Sequence, residues 1–212
     1  MKIQLAIDIP SIGKALNLGM KVQDYIDFIE VGTPLIKKEG EKAIQVIREC
    51  FPKKTIVADM KTIDGGKYEA ELAFEAGADI TVVMGCADGI TIKAAVEVAL
   101  KRGKEVMIDL LGIRDLPKRM KTFTSLTDNI ILLVHTAADR CQREKTIPFE
   151  ELEIVHTLSS FPLAVAGGIS LNTIQRIVNY HPSVVVIGSA ITSAKDPIAI
   201  AKEFKRIATT AL

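Results

Sequence analysis

The segment from which both the fold and the chemistry can be argued is Val57-Ala58-Asp59-Met60-Lys61-Thr62-Ile63-Asp64-Gly65-Gly66. An apolar run over residues 55–58 predicts a strand, and Asp59, Lys61 and Asp64 follow it in the spacing D-x-K-x-x-D. Because side chains alternate along a strand, Asp59 and Lys61 would point the same way, and Asp64 could return from the loop beyond. Carboxylates beside an ammonium favour one another's charged forms, which suits metal ligation or proton transfer at a carbon next to a carbonyl. A solvated surface ion-pair network is the alternative that this segment alone leaves open.

The same unit, a short apolar run followed by a helical pattern, recurs along the whole chain. Eight runs predict strands at residues 3–7, 26–29, 55–58, 80–83, 105–108, 130–134, 163–166 and 184–187. Eight further patterns predict helices at residues 14–22, 41–50, 68–76, 90–102, 116–123, 149–158, 171–179 and 197–208. The strand runs are apolar throughout rather than alternating, which is typical of parallel strands buried on both faces.

Eight strand–helix units in 212 residues favour an α/β fold, a single-domain (β/α)8 TIM barrel over residues 1–212. An open, doubly wound sheet is the competing architecture. The count of eight units, and the lack of a G-x-G-x-x-G motif after the first strand, favour the barrel. The chain shows no linker, low-complexity segment or charge block that would divide it into domains.

Composition argues against several classes of function. Hydrophobic residues make up 48% and charged residues 25%, as in a soluble globular protein, and a net charge of +1 does not suggest a nucleic-acid-binding surface. The three cysteines match no metal-binding or redox spacing. The sequence begins without a signal-peptide pattern, and it has no apolar stretch of the roughly 18 residues that span a membrane. We therefore expect a cytoplasmic protein with no membrane or nucleic-acid partner.

Ionisable side chains end nearly every predicted strand in the first six units. In a (β/α)8 barrel these carboxyl ends meet at one face, where catalysis takes place. The residues concerned are Asp8, Glu30, Asp59, Lys61, Asp109 and His135. Glu30 and Asp59 could hold a hard cation such as Mg²⁺, with substrate oxygens and water as its further ligands. Lys61, Asp64 and His135 are candidates for moving protons.

The last two predicted strands end in glycine turns, which have a separate meaning. Gly167-Gly168 follows the seventh strand, and Gly188-Ser189 follows the eighth. In barrels these two loops commonly bind phosphate through backbone N–H groups and a helix N-terminus, and glycine lets the backbone approach the anion closely. Each turn alone could be an ordinary tight connection. The two together predict a phosphate site.

Six motifs, taken in order along the chain, carry a resemblance to a known family. They are Leu5-Ala6-Ile7-Asp8, Glu30-Val31-Gly32-Thr33-Pro34, Ala58-Asp59-Met60-Lys61-Thr62-Ile63-Asp64, Val134-His135-Thr136, Val165-Ala166-Gly167-Gly168-Ile169 and Val186-Ile187-Gly188-Ser189-Ala190-Ile191-Thr192. Together they resemble the 3-hexulose-6-phosphate synthases of the orotidine-5'-monophosphate decarboxylase superfamily. The resemblance covers essentially the whole chain, and its most specific part is the pairing of Glu-Val-Gly-Thr-Pro with D-x-K-x-x-D.

The resemblance implies a reversible, Mg²⁺-dependent aldol condensation of formaldehyde with D-ribulose 5-phosphate, in a homodimer with shared active sites. By position in the matching motifs, Glu30 and Asp59 would ligate the metal, and Lys61 would hold and polarise an enediolate. His135 would remove the C1 proton of the sugar, and Asp64 would reach into the site of the partner subunit. Substrate hydroxyls or Lys61 would be oriented by Asp8 and Asp109. The phosphate would be received by Gly167, Gly168, Gly188 and Ser189.

The 3-keto-L-gulonate-6-phosphate decarboxylases share the metal site and the D-x-K-x-x-D segment, and are the alternative family. Their pattern has arginine where this chain has Ala138 and Ser189, and glutamate where it has Asp109, so these three residues favour the synthase. The segment Gly85-Cys86-Ala87-Asp88 is closer to the decarboxylase pattern. The orotidylate branch usually has Ile-Pro where this chain has Gly65-Gly66, which argues against that branch.

One loop departs from the synthase pattern. His135-Thr136-Ala137-Ala138-Asp139-Arg140-Cys141-Gln142 is followed by Arg143-Glu144-Lys145, where small residues and glycine are usual, and the loop is one residue longer before Pro148. The difference bears on loop closure, and so on substrate choice and turnover. It is also the one observation in favour of a third hypothesis, a non-catalytic barrel that binds sugar phosphates.

Overall fold

The computed structural model describes residues 1–144 and 147–210, whose eight parallel strands close into a barrel. The strands are β1 (Lys2–Ile7), β2 (Phe28–Val31), β3 (Thr55–Thr62), β4 (Ile80–Met84), β5 (Glu105–Asp109), β6 (Ile130–His135), β7 (Leu163–Ala166) and β8 (Val184–Ile187). Each strand pairs with the next along the chain, and β1 pairs with β8, so the sheet has no edge. The predicted (β/α)8 barrel is confirmed, and the open doubly wound sheet is excluded.

Helices follow the strands and cover the outside of the barrel. They are α1 (Ile12–Val22), α2 (Thr33–Glu39), α3 (Lys42–Cys50), α4 (Gly66–Glu75), α5 (Gly89–Arg102), α6 (Leu116–Phe123), α7 (Ala138–Glu144), α8 (Phe149–Leu158), α9 (Ile174–Ile177), α10 (Ser189–Thr192) and α11 (Pro197–Thr210). The short helices α2, α7 and α10 were not predicted, because four to seven residues are too few to show a period. Within the described ranges, no helix has the length and apolar character that crossing a membrane requires.

Both faces of the strands are buried, which explains the continuous apolar runs in the sequence. One face packs into the barrel interior, around Ala6, Val57, Val82, Met107, Leu133 and Val186. The opposite face packs against the helices, with Leu5, Ile29 and Ile108 among its buried members. Residues two apart on a strand lie on the same face of the sheet. Asp59, Asp109 and His135 each follow an interior residue by two positions, so their side chains lie at the mouth of the barrel.

Strands β2 and β3 differ most from the prediction, and each takes charged residues into the sheet: Glu30 lies within β2, and Asp59 and Lys61 lie within β3. Strand β2 starts at Phe28 instead of residue 26. The Asp27 side chain, just before the strand, accepts a hydrogen bond from the Ile3 N–H at 2.9 Å and forms an ion pair with Lys205. Strand β3 continues to Thr62 instead of ending at residue 58. Its register with β4 shifts between Ala58 and Thr62, which is a β-bulge. Because of this bulge, Asp59 and Lys61 are still part of the strand.

The helix predicted at residues 171–179 is also shorter than expected. Residues 171–173 form a turn, α9 spans only Ile174–Ile177, and a 3₁₀ turn completes the connection. The Thr173 hydroxyl accepts a hydrogen bond from the Ser170 N–H at 2.8 Å. This side-chain contact gives the backbone an alternative to the helix, and α9 begins only after Thr173.

A network of hydrogen bonds and ion pairs around Asp79 joins the amino ends of β3 and β4. The Asp79 carboxylate accepts hydrogen bonds from the Ile56 N–H at 2.9 Å and from Lys104 at 2.6 Å, and it pairs with the Arg48 guanidinium. Arg48 also donates to the carbonyl oxygens of Gly77 and Lys54, at 2.8 and 2.9 Å. The network lies at the end of the barrel opposite the predicted site, so we assign it to stability.

Candidate active site

The barrel brings four of the predicted site residues into direct contact at the carboxyl ends of its strands. Asp59 and Lys61 lie on β3, Asp109 is the last residue of β5, and His135 is the last residue of β6. The Lys61 ammonium contacts both aspartates, and Asp109 in turn contacts His135. The solvated surface network is therefore excluded, since Asp109 is fully buried and Asp59 is only 4% exposed.

Lys61 is the centre of this contact chain. Its Nζ lies 2.9 Å from both carboxylate oxygens of Asp59 and 3.4 Å from Oδ2 of Asp109. Burial alone would lower the pKa of Lys61, but the charges of Asp59 and Asp109 hold it above its ordinary value, so the side chain stays a cation. Its backbone has φ +48°, a left-handed conformation that a non-glycine residue rarely adopts, and it lies within the β3 bulge. Such local strain is typical of positions that serve function.

Asp109 and His135 form a hydrogen-bonded pair beside Lys61. His135 Nδ1 lies 2.8 Å from Asp109 Oδ2, and the other oxygen of Asp109 accepts a hydrogen bond from the Leu111 N–H at 2.9 Å. Burial alone would raise the pKa of Asp109, but the hydrogen bond and charge of His135, and then Lys61, hold it below its usual range. The carboxylate is therefore ionised and accepts, so Nδ1 is the donor. In the neutral imidazole, Nε2 then carries the lone pair and can take a proton.

Glu30 and Asp59 are buried carboxylates on adjacent strands. Burial, followed by the negative charge of Asp59, raises the pKa of Glu30 to about 8. A divalent cation between them would offset this repulsion, and hard carboxylate oxygens are the donors that Mg²⁺ prefers. Among the described residues, no group of three or more histidine, cysteine or acidic side chains has the arrangement of a metal site. Two buried carboxylates on adjacent strands are donors that could hold such an ion, with substrate and water as its further ligands.

Asp8 follows β1 at the same mouth and is exposed there. Its partial enclosure, and then the charge of Asp59, raise the pKa of Asp8, while Lys61 and His135 oppose that change. A side chain on Gly32 would collide with the Asp8 carboxylate, since an added Cβ would lie 2.2 Å from Oδ1. Asp8 thus lies close to Gly32 at the barrel mouth, and its exposed carboxylate is open to a ligand.

Two uncharged residues that the sequence did not single out hold the carboxylates of Glu30 and Asp59. Gln4, on β1, donates from Nε2 to Glu30 Oε2 at 2.6 Å. The Thr33 hydroxyl, in the first turn of α2, lies 2.6 Å from Asp59 Oδ2 and 2.8 Å from the Asp59 carbonyl oxygen. Thr33 falls within a quoted motif and Gln4 lies directly before one, but only the three-dimensional pairing of β1, β2 and β3 shows what they contact.

Asp64 does not join the cluster. It is exposed, and its carboxylate accepts a hydrogen bond from the Gly65 N–H at 2.7 Å. Large apolar side chains are exposed in the same loop and in the first turns of the helices that follow: Ile63 at 56%, Tyr68 at 70% and Ile90 at 80%. The role of Asp64 toward a second subunit remains a prediction.

The two glycine turns lie at the ends of β7 and β8, which are neighbours in the barrel. Gly167 and Gly168 have φ values of +91° and +67°. A Cβ on Gly167 would lie 2.4 Å from the Thr136 carbonyl oxygen, so only glycine fits there. Ser189 opens α10 directly after Gly188, whereas the corresponding helix after β7 begins only at Ile174.

The loop after β6 is partly helical, since α7 occupies most of the segment that departs from the synthase pattern. Lys145, the last residue of that predicted departure, lies outside the described residues. A cavity of about 210 Å³ adjoins His135 here, bounded by Leu110, Thr136 and Pro148 among others. The altered segment therefore lies next to the candidate base, and its Arg140 also lines the cavity.

A closed barrel with an acid–lysine–acid–histidine cluster at the carboxyl ends of its strands defines an enzyme of the (β/α)8 class. Comparison with known proteins is consistent with this class. The chain belongs to the Orotidine 5'-phosphate decarboxylase / HUMPS family, whose family model matches residues 1–204.

Individual relatives are similar over their full length. A curated 3-hexulose-6-phosphate synthase from Bacillus subtilis (strain 168) is 40% identical over 208 residues, 98% of each chain. The crystal structure of a 3-hexulose-6-phosphate synthase from Salmonella typhimurium has a TM-score of 0.95 and 37% identity, with both chains fully covered. The 3-keto-L-gulonate-6-phosphate decarboxylase from Vibrio cholerae O1 biovar El Tor has a TM-score of 0.87 and 28% identity, covering 100% of this chain and 98% of its own. The resemblance argued from the motifs is confirmed, and the chain is an enzyme of the lyase type that its curated relatives represent.

Proposed function

We propose that this enzyme catalyses the reversible aldol condensation of formaldehyde with D-ribulose 5-phosphate, the activity of a 3-hexulose-6-phosphate synthase. The observation that carries the proposal is the contact chain Asp59–Lys61–Asp109–His135, which aligns a permanent cation with an imidazole able to take a proton. An enolising enzyme needs this combination, because the carbon next to a carbonyl loses its proton only if the resulting negative charge is stabilised. The higher identity to synthases than to decarboxylases supports this choice within the family.

In this proposal His135 Nε2 takes a proton from C1 of the sugar phosphate, and Asp109 holds the imidazole through Nδ1. The Lys61 ammonium stabilises the enediolate oxygens. The enediolate re-forms the C2 carbonyl as C1 bonds to the formaldehyde carbon, the formaldehyde C=O double bond opens, and its oxygen takes up the proton that His135 removed. Asp8, exposed at the barrel mouth, and Asp109 orient substrate hydroxyls or Lys61.

A magnesium ion held by Glu30 and Asp59 completes the proposed site. When bound, it supplies Lewis-acid polarisation of substrate oxygens. The support from this chain is the buried, mutually repelling carboxylate pair and its neutral hydrogen-bond donors. The substrate phosphate is assigned to the turns that contain Gly167, Gly168, Gly188 and Ser189, at the ends of two neighbouring strands.

We further propose that two copies of the chain form a homodimer with shared sites and that Asp64 serves the partner's site. The support is the position of Asp64, outside its own cluster and beside the exposed apolar side chains of Ile63, Tyr68 and Ile90. Large apolar side chains exposed at one end of a barrel are typical of an interface. The cytoplasmic location expected from the sequence belongs to the same proposal.

Decarboxylation of 3-keto-L-gulonate 6-phosphate is the second candidate, since Gly85-Cys86-Ala87-Asp88 resembles that family more closely. The deciding experiment incubates the enzyme with Mg²⁺, ribulose 5-phosphate and formaldehyde and follows formaldehyde loss, with a parallel assay of CO₂ release from the keto-gulonate. We expect formaldehyde loss that requires both the sugar phosphate and the metal. CO₂ release without formaldehyde loss would instead establish the decarboxylase. Binding of sugar phosphate without either reaction would favour the non-catalytic barrel.

A further inference from the structure

Gln4 is a buried amide in the apolar interior of the barrel. It lies two residues before Ala6, a member of the interior cluster, and it is paired in register with Phe28 on β2 and Val186 on β8. Its side chain is fully buried. An amide in such surroundings costs about 1–3 kcal/mol unless its polar atoms are paired, so an apolar residue would be the more stable choice.

Only one end of the amide is paired. Nε2 donates to Glu30 Oε2 at 2.6 Å, whereas Oε1 has no hydrogen-bond partner among the described residues. An amide with one unpaired end contributes little to the stability of the fold, because its buried carbonyl oxygen gives up hydrogen bonds to water and gains none in the protein. What Gln4 does provide is one short contact to one oxygen of one carboxylate.

That contact fixes how Glu30 is presented. With Oε2 held from the barrel interior, the Oε1 atom of Glu30 remains free of hydrogen bonds from the described residues. The partner carboxylate also has an uncharged donor on one oxygen, since the Thr33 hydroxyl lies 2.6 Å from Asp59 Oδ2, while the Lys61 ammonium lies 2.9 Å from both oxygens of Asp59. Each carboxylate of the pair therefore has one oxygen fixed by an uncharged donor, the arrangement by which outer-shell residues orient metal ligands.

We propose that Gln4 is a positioning residue of the active site: it holds Glu30 so that Oε1 faces the cation assigned to the Glu30–Asp59 pair. The inference rests on the proposed function, because it takes that pair to be the metal site. It assigns to the amide a role in metal affinity and not in stability.

The test is Gln4→Met, which keeps the length of the side chain and removes the donor. Binding of Mn²⁺, an oxygen-preferring ion used as the probe for Mg²⁺, is measured by electron paramagnetic resonance on the full chain without substrate. We expect the Kd of Mn²⁺ to rise about 10–100-fold, as for other outer-shell partners of metal ligands. Urea denaturation of the same variant should show an unfolding free energy close to that of the wild type, because removal of the unpaired Gln4 Oε1 offsets the loss of the donor to Glu30 Oε2. Gln4→Leu repeats the measurement if the methionine variant fails to fold.

The matched control is Thr81→Val. Thr81 is also a fully buried polar residue of the barrel, with an unpaired hydroxyl among the described residues, but its β4 position places it away from Glu30. Its substitution should leave the Kd of Mn²⁺ unchanged. Unchanged Mn²⁺ binding in the Gln4 variants would overturn the positioning role and leave the metal assignment intact. A wild-type enzyme that does not bind Mn²⁺ would overturn the metal assignment, and the inference with it.

Discussion

His135 Nδ1 and Asp109 Oδ2 lie 2.8 Å apart at the mouth of the barrel, and the carboxylate of this pair is fully buried. The pair fixes the imidazole tautomer in which Nε2 accepts a proton. Asp109→Asn would remove the negative charge, and its amide could donate to Nδ1 and reverse the tautomer. We expect kcat for formaldehyde consumption to fall about 10²–10⁴-fold, the usual contribution of a general base, while KM for ribulose 5-phosphate changes little. Steady-state kinetics provide the test, and a kcat close to that of the wild type would remove His135 from the role of base.

Asp64 is exposed and separate from the cluster that contains Lys61, which suggests a test of the shared site. Lys61→Met and Asp64→Asn should each be inactive alone. In a mixed dimer, one of the two sites combines an intact Lys61 from one subunit with an intact Asp64 from the other. Mixing equal amounts after reversible dissociation should therefore restore about a quarter of the wild-type activity. If Asp64 acts within its own chain, the mixture stays inactive.

Gly167 combines a left-handed φ of +91° with a close approach to the backbone of Thr136. Gly167→Ala would place Cβ 2.4 Å from the Thr136 carbonyl oxygen, so the turn after β7 must shift. We expect a loss of about 1–3 kcal/mol in unfolding free energy, measured by urea denaturation. Gly188→Ala is the matched control, because its Cβ would meet Ala6 at an ordinary 3.9 Å. Equal losses in the two variants would show that the close approach does not matter.

Asp79 links stability to pH. Burial alone would raise the pKa of Asp79, but the hydrogen bonds from Lys104 and the Ile56 N–H, with the charge of Arg48, hold it below its usual value. A carboxylate with a lowered pKa stabilises the fold above its unfolded pKa of about 3.9, and this contribution disappears as the pH falls through the folded pKa. Asp79→Asn should therefore lower the unfolding free energy by about 1.5–3 kcal/mol at pH 7.

The pH dependence separates this linkage from a simple packing defect. Below the folded pKa of Asp79, both proteins carry an uncharged side chain at this position, so the difference between them should shrink. Urea denaturation of wild type and Asp79→Asn at pH 7 and at acid pH measures it. A difference that stays constant down to acid pH would contradict the assignment.

Much of the architecture could be predicted from the sequence, because continuous apolar runs and helical patterns alternate eight times. The position of Asp109 and His135 at the barrel mouth followed from their place at strand ends. The extension of β3 could not be predicted, since charged residues such as Lys61 are usual in loops and the bulge that accommodates them leaves no local signal. The shortened helix after Gly168 reflects a hydrogen bond between the Ser170 N–H and the Thr173 side chain, which competes with helix formation.

The contacts that hold the carboxylates were beyond sequence reasoning for a different reason. Gln4 and Glu30 are 26 residues apart, as are Thr33 and Asp59, so only the pairing of neighbouring strands brings each pair together. Composition and motif spacing indicated which residues could ligate a metal. They did not indicate which uncharged residues orient those ligands.

The central claim, that formaldehyde is joined to C1 of ribulose 5-phosphate, is tested most directly by following ¹³C-labelled formaldehyde with NMR. With the enzyme and Mg²⁺, the account predicts that the label appears as the terminal hydroxymethyl carbon of a six-carbon ketose phosphate, bonded to the former C1. The same signal should be absent with Asp109→Asn on the timescale of wild-type turnover. Label that remains in free formaldehyde with the active wild-type enzyme, while 3-keto-L-gulonate 6-phosphate loses CO₂, would contradict the account.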